Sequence, residues 1–214
     1  MQIAIIGAGN VGRALAGSFT RAGHDVTVSA NDPEHAREAA TEAGATAAAS
    51  NADAVSNADV VVLAVPTTAF DELATELGDA LAGKVVVDVS NRPTPSPDGS
   101  ATSIAEELQG KLPKASVVKA FNTSFASRQA EPTVNGISAD GFVAGDDAAA
   151  KKTVLDVVES IGFRPVDAGS LAAARTLEGM AWLIITRAIS NGTWQDAWVL
   201  VGPELTATTS DSRN

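Results

Sequence analysis

At 214 residues the chain is long enough to enclose a substantial core, either as one large α/β domain or as a domain with a small lobe. A formal net charge of -11 and an isoelectric point near 4.5 repel nucleic acid and anionic membranes, so neither is an expected partner. The absence of cysteine excludes disulfides and thiolate chemistry, and apolar runs such as 60–66 and 180–185 fall far short of the ~20 residues that span a bilayer. The expectation is a soluble, cytoplasmic protein without a membrane segment.

The first thirty residues carry the clearest signal. The all-apolar run "QIAII" has the character of a buried parallel strand, and it leads directly into "GAGNVGRALAGSFTRAGH", where Val11, Leu15, Ala16 and Phe19 recur at helical spacing. A second strand, "DVTVSA", completes a βαβ unit. Gly7, Gly9 and Gly12 form G-x-G-x-x-G at the strand-to-helix turn. In that context Gly7 permits the tight turn, Gly9 lets the backbone approach a pyrophosphate, and Gly12 lets the helix pack against the strand. Dinucleotide binding is the expected function of this turn.

Further along the chain strands and helices continue to alternate. Asp32 is placed to cap a helix with Pro33 at its first position. "DVVVLAVP" (59–66) is a second buried strand, and the helix after it sets Phe70, Leu73, Leu77 and Leu81 on one face. "KVVVDV" (84–89) is another strand, followed by a proline-rich loop over 90–103, the kind of long loop at a strand end that is often functional. Next come a helix over 104–112, the strand "SVVKAF", a strand "GFVAG", a helix over 147–161 and a strand "FRPVDAG". Residues 171–190 read as a helix apolar on most sides, suited to burial in the core or at a subunit interface, with interface the preferred reading. The tail from 203 onward reads as disordered. Together these elements predict a doubly wound, mostly parallel α/β sheet with ligands at the carboxyl ends of its strands.

Those ends are 7–11, 29–32, 65–68, 90–93 and 122–126, and none contains His, Cys, Tyr, Lys or Glu. Reduction of a ketone or aldehyde develops an alkoxide that usually needs a positioned general acid, so a carbonyl reductase is disfavoured. What remains is hydride transfer to an acceptor that delocalises the incoming charge itself, as a flavin-like ring does. His24 reads as a solvated turn residue. Arg13, Arg92, Lys119, Arg128, Arg175 and Arg187 are candidate cations for an anionic cofactor, with a helical pair to Glu178 as the simpler role for Arg175. Trp182, Trp194 and Trp198 suit core or interface packing better than ring stacking.

In chain order, "IAIIGAGNVGRALA", "VVVLAVP", "VVVDVSN", "VVKAFNT", "GFVAGDD", "GFRPVDAG" and "RTLE" resemble the NADP-dependent oxidoreductases of the deazaflavin coenzyme F420, over about residues 1–202. The N-terminal motifs are shared with many dinucleotide-binding enzymes; the later ones are more particular. The resemblance implies direct hydride transfer between NADP(H) and coenzyme F420, with no covalent intermediate and no metal. It implies a Rossmann domain over 1–168 and a small C-terminal helical lobe over 169–202, which helps form the deazaflavin cleft and builds an oligomer, expected here as a homodimer through 171–190. It assigns Ala8, Gly9, Asn10 and Val11 to the pyrophosphate turn and Val65, Pro66, Asn122, Ser124 and Ala126 to the nicotinamide wall. Asn122 stands where family members often carry a histidine.

Cofactor choice is left open between NADP and NAD. Family members typically show a Ser-Arg pair at the end of the second strand, where this chain has Ala30 and Asn31. Ser29 and Asn31 are candidates to hydrogen-bond a 2′-phosphate, with charge from His35 or Arg37, while Asp32 would repel one unless it serves as the helix cap. Two other functions stay open: a nicotinamide-dependent reductase of an imine, quinone or metal chelate, and a non-catalytic dinucleotide sensor.

Overall fold

The computed structural model describes residues 1–92 and 102–202. Most of the proline-rich loop and the whole tail from 203 lie outside the described residues. The chain runs through β1 (Gln2–Ile6), α1 (Asn10–Arg21), β2 (Asp25–Ser29), α2 (Pro33–Ala43), β3 (Thr46–Ala47), α3 (Asn51–Ser56), β4 (Val60–Leu63), α4 (Phe70–Leu77) and β5 (Val85–Asp88). It continues with α5 (Ile104–Lys111), β6 (Ser116–Lys119), α6 (Ala126–Ala130), β7 (Thr133–Val134), β8 (Ile137–Ser138), β9 (Asp140–Gly145), α7 (Ala148–Ser160), β10 (Arg164–Gly169) and α8 (Ala174–Asn191).

Among the described residues eight strands form one sheet in the order β10-β9-β6-β5-β4-β1-β2-β3, in which β6–β9 is the one antiparallel pairing. The strand order reverses between β1 and β4, which opens a crevice above their carboxyl ends. Alternation along each strand divides the core. Ile3, Ile5, Val60 and Val62 face Leu15 and Phe19 of α1, Ala39 of α2 and Val154 of α7. Ala4, Ile6, Val61 and Leu63 face Val55 of α3, Phe70 and Leu77 of α4, and Leu108 of α5. Both faces are therefore covered, which is why these strands show no polar alternation.

Some elements depart from the sequence reading. The short β3, α3 and α6 carry too few residues to establish a period. The β7–β8 hairpin turns at Asn135 and Gly136, both at positive φ (52° and 79°), and its Asn-Gly signal is plain in the sequence. The stretch 171–190 begins with a 3-10 turn (Leu171–Ala173) before α8, and α8 is not buried on most sides. One stripe, including Leu177, Ala181 and Ile184, packs inward, while Leu183 and Ile189 are exposed. After α8 the chain runs back to the start of β9 without regular structure. Asp140 N–H donates to the Trp198 carbonyl (2.8 Å), and the buried Asp140 carboxylate accepts from Arg164 Nε (2.5 Å), Arg164 Nη2 (2.9 Å) and Leu200 N–H (2.5 Å). No helix among the described residues is long and apolar enough to cross a membrane.

Candidate functional site

The glycine turn shows three separate steric demands. Gly7 lies at φ 115°, and a Cβ there would sit 2.3 Å from the Ala64 carbonyl oxygen. At Gly12 a Cβ would come within 1.9 Å of the Gly7 carbonyl oxygen, so only glycine lets α1 start this close to β1. At Gly9 a Cβ would meet nothing within 4 Å. Gly9 is also the N-cap of α1, with no side-chain cap and no acidic residue in the first turn. The free N–H groups and the positive dipole end are therefore left available to an anion.

Two cavities flank this turn. The first has a volume of about 550 Å³. Of the predicted residues it gathers Gly7, Ala8, Gly9, Ala30, Asn31, His35, Val65 and Pro66. Ser29 is not among them: it is buried, and its hydroxyl donates to Asn51 Oδ1 at 2.7 Å. The end of β2 turns Ser29 toward α3, an element the sequence reading did not anticipate. Asp32 caps α2 as expected, accepting from Glu34 N–H (2.9 Å), yet it still lines the cavity beside Glu38, Glu72 and Glu76. Arg13 also lines it. Its guanidinium bonds Glu42 (2.8 Å) and Glu38 (3.1 Å), which raise its pKa above the ordinary arginine value, and its Nε donates to the Ala8 carbonyl (3.0 Å). Arg37 pairs with Glu34 on the exposed side of α2 and does not line the cavity. The first cavity is thus rich in carboxylates, and its arginine is already engaged.

The second cavity, of about 410 Å³, lies between the first turn of α1, the ends of β5 and β6, and α8. It receives Asn10, Val11, Asn122, Ser124 and Ala126 from the predicted set, so the predicted pyrophosphate turn and nicotinamide wall are each divided between the two cavities. Asn91, Phe125, Ser127, Ala181, Ile184, Ile185 and Trp194 also line it, and none of the described lining residues is ionisable. Phe121, just past β6, is buried at φ 62°, a strained conformation for a bulky residue. Its ring packs on Phe19 and Phe163, and its carbonyl accepts from buried Gln129 Nε2 (3.0 Å). These contacts hold the turn that presents Asn122 to Ser124. Trp194 meets Phe125 edge-on with centroids 5.3 Å apart, and Trp182 donates to the Arg92 carbonyl (3.0 Å).

Several candidate cations prove to be structural. Lys119 cannot meet a cofactor: it is fully buried, with Nζ 2.8 Å from Asp88 Oδ2, 3.0 Å from Glu178 Oε1 and 2.6 Å from the Ser90 carbonyl. Glu178 is therefore not the partner of Arg175. Arg175 instead forms a bidentate pair with Glu106 (2.8 and 2.6 Å), because α8 turns Glu178 inward and Arg175 toward α5. Arg92 bonds Glu107 (2.6 Å) and the Thr102 carbonyl, Arg187 bonds Asp196 (2.7 Å), and Arg128 donates to the Thr133 carbonyl (3.1 Å). His24 is half-buried rather than solvated, 2.9 Å from the Ser160 hydroxyl, and desolvation lowers its pKa.

The family model described as "NADP oxidoreductase coenzyme F420-dependent" matches residues 2–92, a span that includes the whole first cavity. The F420-dependent NADP reductase of Methanocaldococcus jannaschii is 32% identical over 208 residues, covering 86% of this chain and 91% of its own. This chain belongs to the coenzyme F420-dependent NADP oxidoreductase family. A solved chain from Arthrobacter sp. FB24, assigned as an F420-dependent NADP-reductase, superposes with a TM-score of 0.83 at 30% identity, covering 94% of this chain and all of that one. The rat metalloreductase STEAP3 is 34% identical over 180 residues, 84% of this chain, and the match spans only 36% of the rat protein's length. The family's Rossmann architecture accounts for the eight-stranded sheet and for the position of the glycine turn at its crevice.

Proposed function

We propose that this chain transfers a hydride directly between NADP(H) and the deazaflavin coenzyme F420. The observation that carries this reading is the second cavity: it adjoins the glycine turn yet, among the described residues, is lined by no ionisable side chain. A groove of that kind has no proton to give, so it suits an acceptor ring that takes up hydride without one.

Bound NADP(H) supplies the carbon that gives or receives the hydride. On this reading Gly7, Ala8, Gly9 and Gly12 shape the pyrophosphate site, and the first turn of α1 offers its free N–H groups. Asn10 and Val11 continue that turn into the second cavity. Ala30, Asn31 and His35 border the adenosine and its 2′-phosphate, where the surrounding carboxylates make recognition weaker than a free arginine would. Val65 and Pro66 form one wall for the nicotinamide, and Asn122, Ser124 and Ala126 form the facing wall and position the rings. Apolar Ala181, Ile184 and Ile185 of α8 close the cavity against water. The helical extension 169–202 is then both the lid of the cleft and, through exposed Leu183 and Ile189, the surface for a homodimer. Leu183→Glu is expected to convert such a dimer to monomers, as read by light scattering.

The deciding experiment mixes purified protein with NADPH and oxidised F420 and follows loss of the deazaflavin's visible absorbance. Bleaching supports the proposal. Turnover of a quinone, imine or ferric chelate with F420 untouched would replace it with reduction of another acceptor, a reading supported by the rat metalloreductase relative. Cofactor binding with no turnover of any acceptor would make the chain a sensor.

A further inference from the structure

The hydride-transfer reading leaves unused a buried ionic cluster directly behind the second cavity. Asp88 ends β5, Lys119 ends β6 and Glu178 lies on α8; the first two are 0% exposed and Glu178 is 5% exposed. A buried cluster of this kind is not by itself a source of stability, because desolvation offsets most of the attraction. Its contacts suggest a different use. Asp88 Oδ1 accepts from Ser90 N–H (2.9 Å) and Lys119 Nζ donates to the Ser90 carbonyl (2.6 Å), so both backbone groups of Ser90 are held. Glu178 Oε1 also accepts from Ile104 N–H (2.8 Å), which ties the first residue of α5 to the same cluster.

The next residue, Asn91, lines the cavity, and its orientation is determined by elimination. The Asn122 backbone carbonyl can only accept, so the Asn91 atom 3.1 Å from it is the amide Nδ2. Asn91 Oδ1 then faces the Asn122 side chain, and the atom of Asn122 that meets it at 2.9 Å must be the donor Nδ2. Asn122 Oδ1 is left over. It is buried and has no partner among the described residues, as is also true of Ser90 Oγ and Thr123 Oγ1 on the same two strand ends. An orphaned buried acceptor is costly unless something donates to it.

We propose that the Asp88–Lys119–Glu178 triad is a positioning device. By gripping Ser90 it locks the Asn91–Asn122 pair in one orientation, so that Asn122 Oδ1 receives an amide N–H from the ring bound in the second cavity. The donor is an uncharged amide: the carboxamide of the nicotinamide or the imide N–H of the deazaflavin. This rests on the proposed function, but its test does not need turnover.

Dissociation constants are measured by fluorescence titration for two pairs: NADPH against its 3-acetylpyridine analogue, in which the carboxamide NH₂ becomes a methyl group, and the deazaflavin against its N3-methyl derivative. Loss of one neutral hydrogen bond predicts that wild type binds one of the analogues about tenfold more weakly than its parent. Weakening of the acetylpyridine analogue assigns the donor to the nicotinamide, and weakening of the methylated deazaflavin assigns it to that ring. Asn122→Ala should bring the ratio to near one. The neutral triple variant Asp88→Asn/Lys119→Met/Glu178→Gln should also compress it, to below about threefold if the hydrogen bond loses its alignment. Partial unfolding affects parent and analogue alike and leaves the ratio unmoved. Should the triple variant fail to fold, Glu178→Gln alone, which keeps an acceptor for Lys119 and for Ile104 N–H, should compress the ratio part-way. Equal affinities for both pairs in wild type would overturn the acceptor role, and an unchanged ratio in the folded triad variants would confine the triad to stability. Neither result would touch hydride transfer, which fails only if F420 is not bleached.

Discussion

The two cavities beside the glycine turn are built from opposite chemistries. The first cavity is bordered by Asp32, Glu38, Glu72 and Glu76 and by an arginine already paired twice, whereas the second has no ionisable lining among the described residues and keeps its charges buried behind the wall. Charge in contact with solvent can be exchanged one residue at a time, because water screens the change. Charge sealed behind an apolar wall cannot. Substitutions in the first region should therefore tune cofactor affinity, while those behind the second should endanger the fold.

The largest effect should test the buried side. Lys119→Met leaves Asp88 and Glu178 without their cation, and urea denaturation should show a loss of about 3–5 kcal/mol. A loss under 1 kcal/mol would mean that the triad is solvated in the folded protein. Next is Gly9→Val, whose side chain points into open space: the protein should fold normally, yet NADPH titration should show affinity reduced by about 100-fold, the equivalent of two or three lost hydrogen bonds. On the charged side, Asn31→Arg should tighten NADPH by about tenfold through one charge-assisted contact and leave NADH unchanged. Equal gains for both cofactors would show that residue 31 does not meet the 2′-phosphate.

The smallest effect concerns the ion pair between α8 and α5. Arg175, with help from Ser103, holds the Glu106 carboxyl down at about 2, against an ordinary value of 4.5. A lowered folded-state value stabilises the protein above the unfolded value, so this contribution is complete above about pH 4.5 and lost as pH falls toward 2. Thermal melting of Glu106→Gln should be lower than wild type at pH 7, with the gap narrowing as the acid range is entered. A gap constant with pH would assign the effect to the helix cap alone.

Much of the architecture was legible because its signals are local. Short all-apolar runs such as "VVVL" between turn residues fit a strand covered on both faces, and Gly7 and Gly12 answer contacts with the neighbouring strand end and with the turn itself, while Gly9 faces open space. Asn122, Ser124 and Ala126 were legible as strand-end residues. Other features depend on how distant segments meet. Ser29 lay in the expected place, but its hydroxyl is taken by Asn51, on a helix too short to show a period. Lys119 looked like a free cation and Arg175 like the helical partner of Glu178, because their actual partners lie 31 and 69 residues away.

The sequence by itself determined the strand-helix alternation, the glycine turn between β1 and α1 and the lack of His, Cys, Tyr, Lys or Glu in the segments just past the strands, since each follows from residue type and short spacing. Only the tertiary structure decided which charges are exposed and which are sealed, how the predicted site divides into two cavities, and which amide oxygen is left without a partner. Those outcomes depend on side chains brought together from β5, β6 and α8, and no local pattern records that encounter.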